Sequence, residues 1–241
     1  MSVRMFATCL LTVGLLGCAS AGATSTPETL PPVVTALPTT STSAAPTTTV
    51  TTPKVDLMTL ARSSVLRVRN VVCLATGTAF KLESGQVITN RHVAARSRRV
   101  ELSTWDGTDL VGAVTAVSSD HDLASMTVES PRAGLILAER DPVAGDAITV
   151  AGYPEGNQLD LRRGAVIDLD PGHGEAGGAL RATVAIKPGN SGSPVLNDQG
   201  EVVGIAYAIQ RSTDDALLVP VSALKALLAG SDPTTSAPGC E

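Results

Sequence analysis

The chain has 241 residues, a formal net charge of −5 and a pI near 5.2, a balance that argues against a nucleic-acid-binding protein. The local basic cluster Arg91, Arg96, Arg98 and Arg99 is short and reads as a solvated loop face. Fourteen arginines against four lysines, with abundant Ala, Val and Thr, point to a GC-rich bacterial genome but say nothing about mechanism.

In chain order, Met1–Met5 carries one charge, Arg4, and Phe6–Leu16 is an apolar run too short to span a bilayer unaided. That is the pattern of a signal peptide over 1–17. Leu15–Leu16–Gly17–Cys18 resembles a bacterial lipobox, in which cleavage precedes the cysteine and Cys18 receives acyl chains. The alternatives are an ordinary signal cleaved near Ala19–Ala23 or a short membrane anchor. Ala19 to Pro53 holds twelve Thr and six Pro with Glu28 as its one charge. Such a stretch cannot bury enough apolar surface to offset the entropy of ordering it, so 18–53 reads as a disordered stalk beyond a lipidated Cys18.

The remainder, 54–241, is long enough for one domain with a substantial core. Short runs rich in Val, Ile and Thr predict strands at Val65–Val72, Thr76–Leu82, Gln86–Thr89, Val100–Leu102, Val111–Val117 and Leu123–Val128. A second set follows at Ala147–Gly152, Leu159–Asp168, Leu180–Ala185, Pro194–Leu196, Val202–Ile209 and Leu217–Val219. Turn signals such as Asp106–Gly107 and Asp198–Gln199–Gly200 separate them. The two groups, parted by Glu129–Gly145, predict an all-β fold of two six-stranded antiparallel barrels, about 62–130 and 145–221. One helix is expected at Val221–Ala229, with Ser222 near its start, Gly230 past its end and a Leu224, Leu227, Leu228 face turned to the barrels. In an exported protein Cys73 and Cys240 make a plausible disulfide, with two unpaired thiols as the alternative. By chain-entropy scaling so long a loop contributes on the order of 4–5 kcal/mol at most.

Candidate chemistry centres on Gly189–Asn190–Ser191–Gly192–Ser193, where a serine sits on a tight turn just before an apolar strand. Three histidines are present. His92 follows the strand Gln86–Thr89 and enters a short helical turn; His121 lies in a polar run and reads as exposed; His173 lies in a glycine-rich loop. Asp122 heads a strand whose Leu123 points inward, where a carboxylate can be buried and still accept N–H donors. Asp120, two residues earlier in a polar turn, is its rival.

Thr89–Asn90–Arg91–His92–Val93, Asp122–Leu123–Ala124 and Gly189–Asn190–Ser191–Gly192–Ser193–Pro194–Val195 together resemble the chymotrypsin-like (trypsin-like) serine protease family. The bacterial branch of Htr-type and membrane-anchored periplasmic proteases is the nearest pattern. The order His, Asp, Ser at spacings of 30 and 69 residues is that family's order, and Gly77 and Gly152–Tyr153–Pro154 fit it as well. The resemblance implies a double barrel, Ser191 as nucleophile, His92 as base, Asp122 as its orienter, and an oxyanion hole from the N–H groups of Gly189 and Ser191. It implies a peptide-bond-cleaving enzyme acting on protein or peptide substrates, with no cofactor and no metal. It places the substrate pocket near Ala185, with one wall along Tyr207–Ala208–Ile209; no acidic residue stands at its floor, so a small or medium apolar side chain is expected there. Asn190 stands where digestive enzymes have an aspartate that pairs with a new N-terminus, so the active conformation is expected to form without such cleavage. Ser193 replaces the family's usual glycine, and no PDZ domain is expected after the helix. With the lipid anchor, these features describe an endopeptidase on the extracytoplasmic face of a cell membrane. The competing reading is a catalytically inactive or latent protease-like domain that binds a protein or cell-wall component.

Overall fold

The structure is a computed structural model and describes residues 55–130, 132–171 and 178–235. The expected leader, lipidated Cys18, stalk, His173 and Cys240 lie outside the described residues. The first described element is a helix, α1 (Leu57–Ser64), which the strand-centred sequence reading passes over. Asp56 caps it, its carboxylate accepting the N–H groups of Met58 and Thr59 at 3.1 and 3.2 Å. Leu57, Ala61 and Ser64 recur at helical spacing and form its buried face.

Six strands then build the first barrel: β1 (Val65–Asn70), β2 (Ala75–Lys81), β3 (Gln86–Thr89), β4 (Arg99–Ser103), β5 (Asp109–Val117) and β6 (Ala124–Thr127), with a short helix α2 (Arg91–Ala94) between β3 and β4. The second barrel uses β7 (Ala147–Gly152), β8 (Asp160–Asp170), β9 (Ala179–Ala182), β10 (Pro194–Leu196), β11 (Val202–Ile209) and β12 (Ala216–Pro220). Both are closed, in the orders β1-β2-β3-β6-β5-β4 and β7-β8-β9-β12-β11-β10, so one antiparallel topology occurs twice. The expected architecture of two six-stranded antiparallel barrels is the one observed. β1 stops at Asn70 rather than Val72 because the Asn70 side chain accepts the N–H groups of Val72 and Cys73, turning the chain. β9 is shorter than expected and leaves Ala185 outside it.

Strand β12 and β11 as far as Ala206 are buried on both faces, and their residues divide between two cores. Val203, Ala206 and Leu218 point into the second barrel. Val202, Ile205 and Val219 join Phe80, Leu123 and the buried face of α1 in a core between the barrels. The last helix, α3 (Val221–Leu228), adds Leu224 and Leu227 to that core. Each such side chain taken fully out of water is worth roughly 1.5–3 kcal/mol. Ser222 lies near the start of α3 as expected; Pro220 holds the N-cap position, and Ser222 donates its N–H and hydroxyl to Asp141, at 2.8 and 2.7 Å. The linker between barrels is tied to both, through a Leu82–Leu135 bridge and a Leu137–Val202 bridge.

Candidate active site

The register of the first barrel creates the first half of the site. β3 and β6 pair with Thr89 opposite Ala124, which sets Asn90–His92 beside Asp122. Asn90 Nδ2 donates to Asp122 O at 2.7 Å, and the His92 N–H donates to Asp122 Oδ1 at 3.0 Å. His92 Nδ1 lies 2.6 Å from Asp122 Oδ2. A carboxylate only accepts, so Nδ1 carries the proton of the neutral ring and Nε2 keeps a lone pair. The pair is largely sheltered, with 29% and 12% of the two side chains exposed. Asn70 fastens α2 from behind, its amide donating to Val93 O and Ala95 O, both at 2.9 Å. Asp120 does not meet His92; its N–H is held by Ser118 Oγ and its carboxylate by Ser119 Oγ. His121 is half-buried rather than exposed, because its N–H is drawn onto Ser118 Oγ at 2.8 Å.

The second half is the turn before β10. Asn190 is 2% exposed and closes it on itself: Oδ1 accepts the Lys187 N–H at 3.0 Å, while the Asn190 N–H returns to Lys187 O at 2.9 Å. The Ser193 N–H donates to Asn190 O, and that of Gly192 to Ala206 O. Every N–H from Lys187 to Ser193 is thus satisfied except those of Gly189 and Ser191, which donate to no acceptor among the described residues. Gly189 is buried and Ser191 half-buried, and amides left without acceptors in such places are costly, so each calls for an explanation such as a catalytic role. Gly189 has φ +94°, a conformation that favours glycine, and a Cβ there would fall 2.4 Å from Tyr153 O. Ser191 is half-buried, and its Oγ is 3.5 Å from Tyr207 O, the loosest of the site's hydrogen bonds.

Thr78 on β2 joins the halves. Its N–H donates to Ser191 O at 2.8 Å and its Oγ1 to Gly189 O at 2.7 Å, and Oγ1 accepts the Tyr153 N–H at 3.0 Å. Gly77 next to it has no room for a side chain: a Cβ would meet Val93 Cγ2 at 2.7 Å and Ser191 O at 3.1 Å. α2 and the serine turn therefore close on the same point. A Cβ on Gly192 would likewise meet Thr89 Oγ1 and Asn90 N, the end of the strand that leads to His92. Ser193 is fully buried, with an Oγ that has no partner among the described residues, filling the space beside Gly152.

Of the expected pocket residues, Ala185 and Ile209 are exposed and Tyr207 is half-buried. The Tyr207 hydroxyl is buried without a partner among the described residues. Burial, followed by the nearby negative charges of Asp122 and Asp170, pushes the phenol up to about 12. Sequence reasoning missed Thr78, Asn70 and Ser118. Their signal is a small polar residue on an inward-facing position, which is invisible until the register is known. Among the described residues no group of His, Cys, Asp and Glu has the arrangement of a metal site.

The model of the trypsin-like peptidase domain matches residues 76–205. The chain belongs to that family. It is 32% identical over 150 residues to Protease Do-like 2, chloroplastic, of Arabidopsis thaliana, covering 58% of this chain and 25% of that protein. It is 29% identical over 154 residues to serine protease Do-like HtrA of Bacillus subtilis, covering 58% and 34%. The chain spans from 25% to 41% of the first such relatives' lengths. The fold is similar to that of the Rv3671c protease from M. tuberculosis in its active form, with a TM-score of 0.67, 21% identity, and coverage of 77% of this chain and 88% of that one. The serine endoprotease from Yersinia pestis gives a TM-score of 0.63 at 18% identity, covering 70% and 62%.

Proposed function

We propose that this domain is a serine endopeptidase working through Ser191, His92 and Asp122, held on the extracytoplasmic face of a cell membrane by acyl chains on Cys18. The observation that carries the reading is the pair of N–H groups, Gly189 and Ser191, that lack an acceptor among the described residues, on a serine turn that closes on Gly77 together with the helix of the His92–Asp122 pair. Ser191 Oγ would attack the scissile carbonyl carbon as its proton passes to His92 Nε2. The carbonyl oxygen then carries the negative charge and accepts from the two amides. Asp122 holds the resulting imidazolium through Nδ1–H. Collapse breaks the C–N bond, and the departing amine takes the proton from Nε2. Water then repeats the sequence on the acyl-enzyme, releasing the acid and the free hydroxyl.

The extracytoplasmic setting draws on relatives named as probable periplasmic serine endoproteases, and on the lipobox-like Leu15–Cys18 run. A Cys73–Cys240 disulfide is part of the same reading and is supported by Cys73 being disulfide-bonded. Ala185 and Ile209 are exposed and free to border a pocket for a small or medium apolar side chain. A second reading, a latent or purely binding domain, draws on Ser191 Oγ being turned to Tyr207 O. Labelling with a fluorophosphonate probe separates the two. A label on the wild type that is absent from Ser191→Ala and His92→Ala supports the enzyme. No label on any of the three, including under reducing and acidic conditions, refutes it.

A further inference from the structure

The chain does not finish its work at α3. Ser231 and Asp232 close the helix on Ala226 O, and the following residues run over to the first barrel. There they lie antiparallel to the end of β5. The Ser119 N–H donates to Pro233 O at 2.8 Å, the Thr235 N–H donates to Val117 O at 2.9 Å, and Ser118 bridges to Thr234. At the start of this strap Asp232 is 6% exposed, and Ser118 is completely buried. Ser118 Oγ donates to Asp232 Oδ2 at 2.7 Å and accepts the N–H groups of Asp120 and His121 at 3.2 and 2.8 Å. The Ser118 N–H donates to Leu123 O at 3.0 Å, closing the turn that carries Asp122. From the other side Arg91, next to His92, donates to Ser118 O and Ser119 O.

A hydroxyl has one proton and can rotate it among acceptors. Asp232 accepts only, so it fixes that proton and leaves the oxygen lone pairs to the two amides of the turn. The arrangement is expensive as pure structure. Asp232 Oδ1 is buried with no partner among the described residues, and a buried carboxylate with incomplete hydrogen bonding works against stability. We propose that Asp232 is a positioning residue, which through Ser118 Oγ sets the turn that presents Asp122 to His92. This inference rests on the serine-hydrolase reading above. It makes the strap leaving the second barrel part of the proton-transfer geometry of the first.

The test is the time course of fluorophosphonate labelling of the full chain across probe concentrations, separating the limiting rate from the probe's half-saturation. Asp232→Ala is expected to lower the limiting rate by roughly 10- to 100-fold with half-saturation unchanged, the cost of a displacement of about 1 Å in a catalytic pair. Asp232→Asn, whose amide oxygen still accepts from Ser118 Oγ, should retain most of the rate. Ser118→Ala breaks the same link without altering the strap, and it keeps the test open where Asp232→Ala fails to fold. It should slow labelling comparably, and combining it with Asp232→Ala should add little. Wild-type limiting rates in Asp232→Ala or in Ser118→Ala, whatever the melting temperatures, would overturn the inference alone. A wild type that takes no label overturns the hydrolase reading itself.

Discussion

Asn190 offers the sharpest test of how the serine turn is held. It is 2% exposed, its Oδ1 accepts the Lys187 N–H, and its Nδ2 sits 2.8 Å from where a Cβ on Gly152 would be. The nearest cationic side chain in sequence, Lys187, is turned to Glu155 at 3.4 Å. Asn190→Asp keeps the shape of the side chain and places a carboxyl where no cation is paired with it among the described residues. Desolvation should raise that group's folded-state pKa above its unfolded value of about 3.9, outweighing the one N–H, from Lys187, that it would accept. Between the two values the folded state binds more protons than the unfolded one, so stability falls as pH rises. Below about pH 4 the carboxyl is neutral in both states and the variant should unfold much like the wild type. Once the carboxyl is ionised in both states the loss saturates at about 3–5 kcal/mol, the cost of an uncompensated buried charge. Urea unfolding of both proteins at pH 4, 6 and 8 measures the difference, and fluorophosphonate labelling should weaken over the same range. A stability difference that does not change with pH, or a variant that gains stability at pH 8, would mean that a cation reaches this turn. The turn would then be one that an ion pair can set.

Two further substitutions probe the same region. Thr78→Val conserves shape but leaves Gly189 O and the Tyr153 N–H without their partner, so it should cost about 2–4 kcal/mol in urea unfolding and slow labelling; a loss below about 0.5 kcal/mol would count against Thr78 as the junction. Ser193→Ala removes a buried hydroxyl that has no partner among the described residues. It should leave stability unchanged or raise it by up to about 1 kcal/mol in the same measurement, and a clear loss would show that the hydroxyl has a partner.

The barrels were legible because each strand is a short Val-, Ile- and Thr-rich run ended by a turn signal, and the observed bounds of β3, β7, β10 and β11 match the runs directly. His92, Asp122 and Ser191 were legible because each sits at the edge of such a run, in a local sequence with few other uses. α1 was passed over although Asp56 followed by Leu57, Leu60, Ala61 and Ser64 is a capped amphipathic helix; at eight residues its pattern is one short period beside a long strand signal. Nothing near Ser222 in the sequence points to its partner, Asp141, which lies far away in the chain. The same distance hid Asp232, which a sequence reading can take as no more than a polar residue in a tail. Pairings across such separations are decided by the closed fold, and no local periodicity announces them.

The duplicated topology explains which contacts govern chemistry and which govern stability. The His92–Asp122 pair is set inside the first barrel by the Thr89–Ala124 register, and the serine turn is set inside the second by Asn190. Neither barrel fixes the separation between the two halves. Besides the apolar core between the barrels, that separation depends on bonds across the interface, among them Thr78 to Ser191 and Gly189, Tyr153 to Thr78 and Val65, Arg67 to Gly156, and the strap from Asp232 to Ser118. Truncating a core residue within one barrel, such as Val150 or Val87, removes burial inside that barrel and lowers stability before it shifts one half of the site against the other. Removing a cross-barrel bond costs about 1–3 kcal/mol for each buried partner left unsatisfied, and it also shifts one half of the site against the other. Because a misplacement of about 1 Å can slow proton transfer by two orders of magnitude, rate is more sensitive than stability at these positions. Substitutions at Thr78, Ser118 and Asp232 should therefore depart from the relation between stability and labelling rate that substitutions in the barrel cores obey.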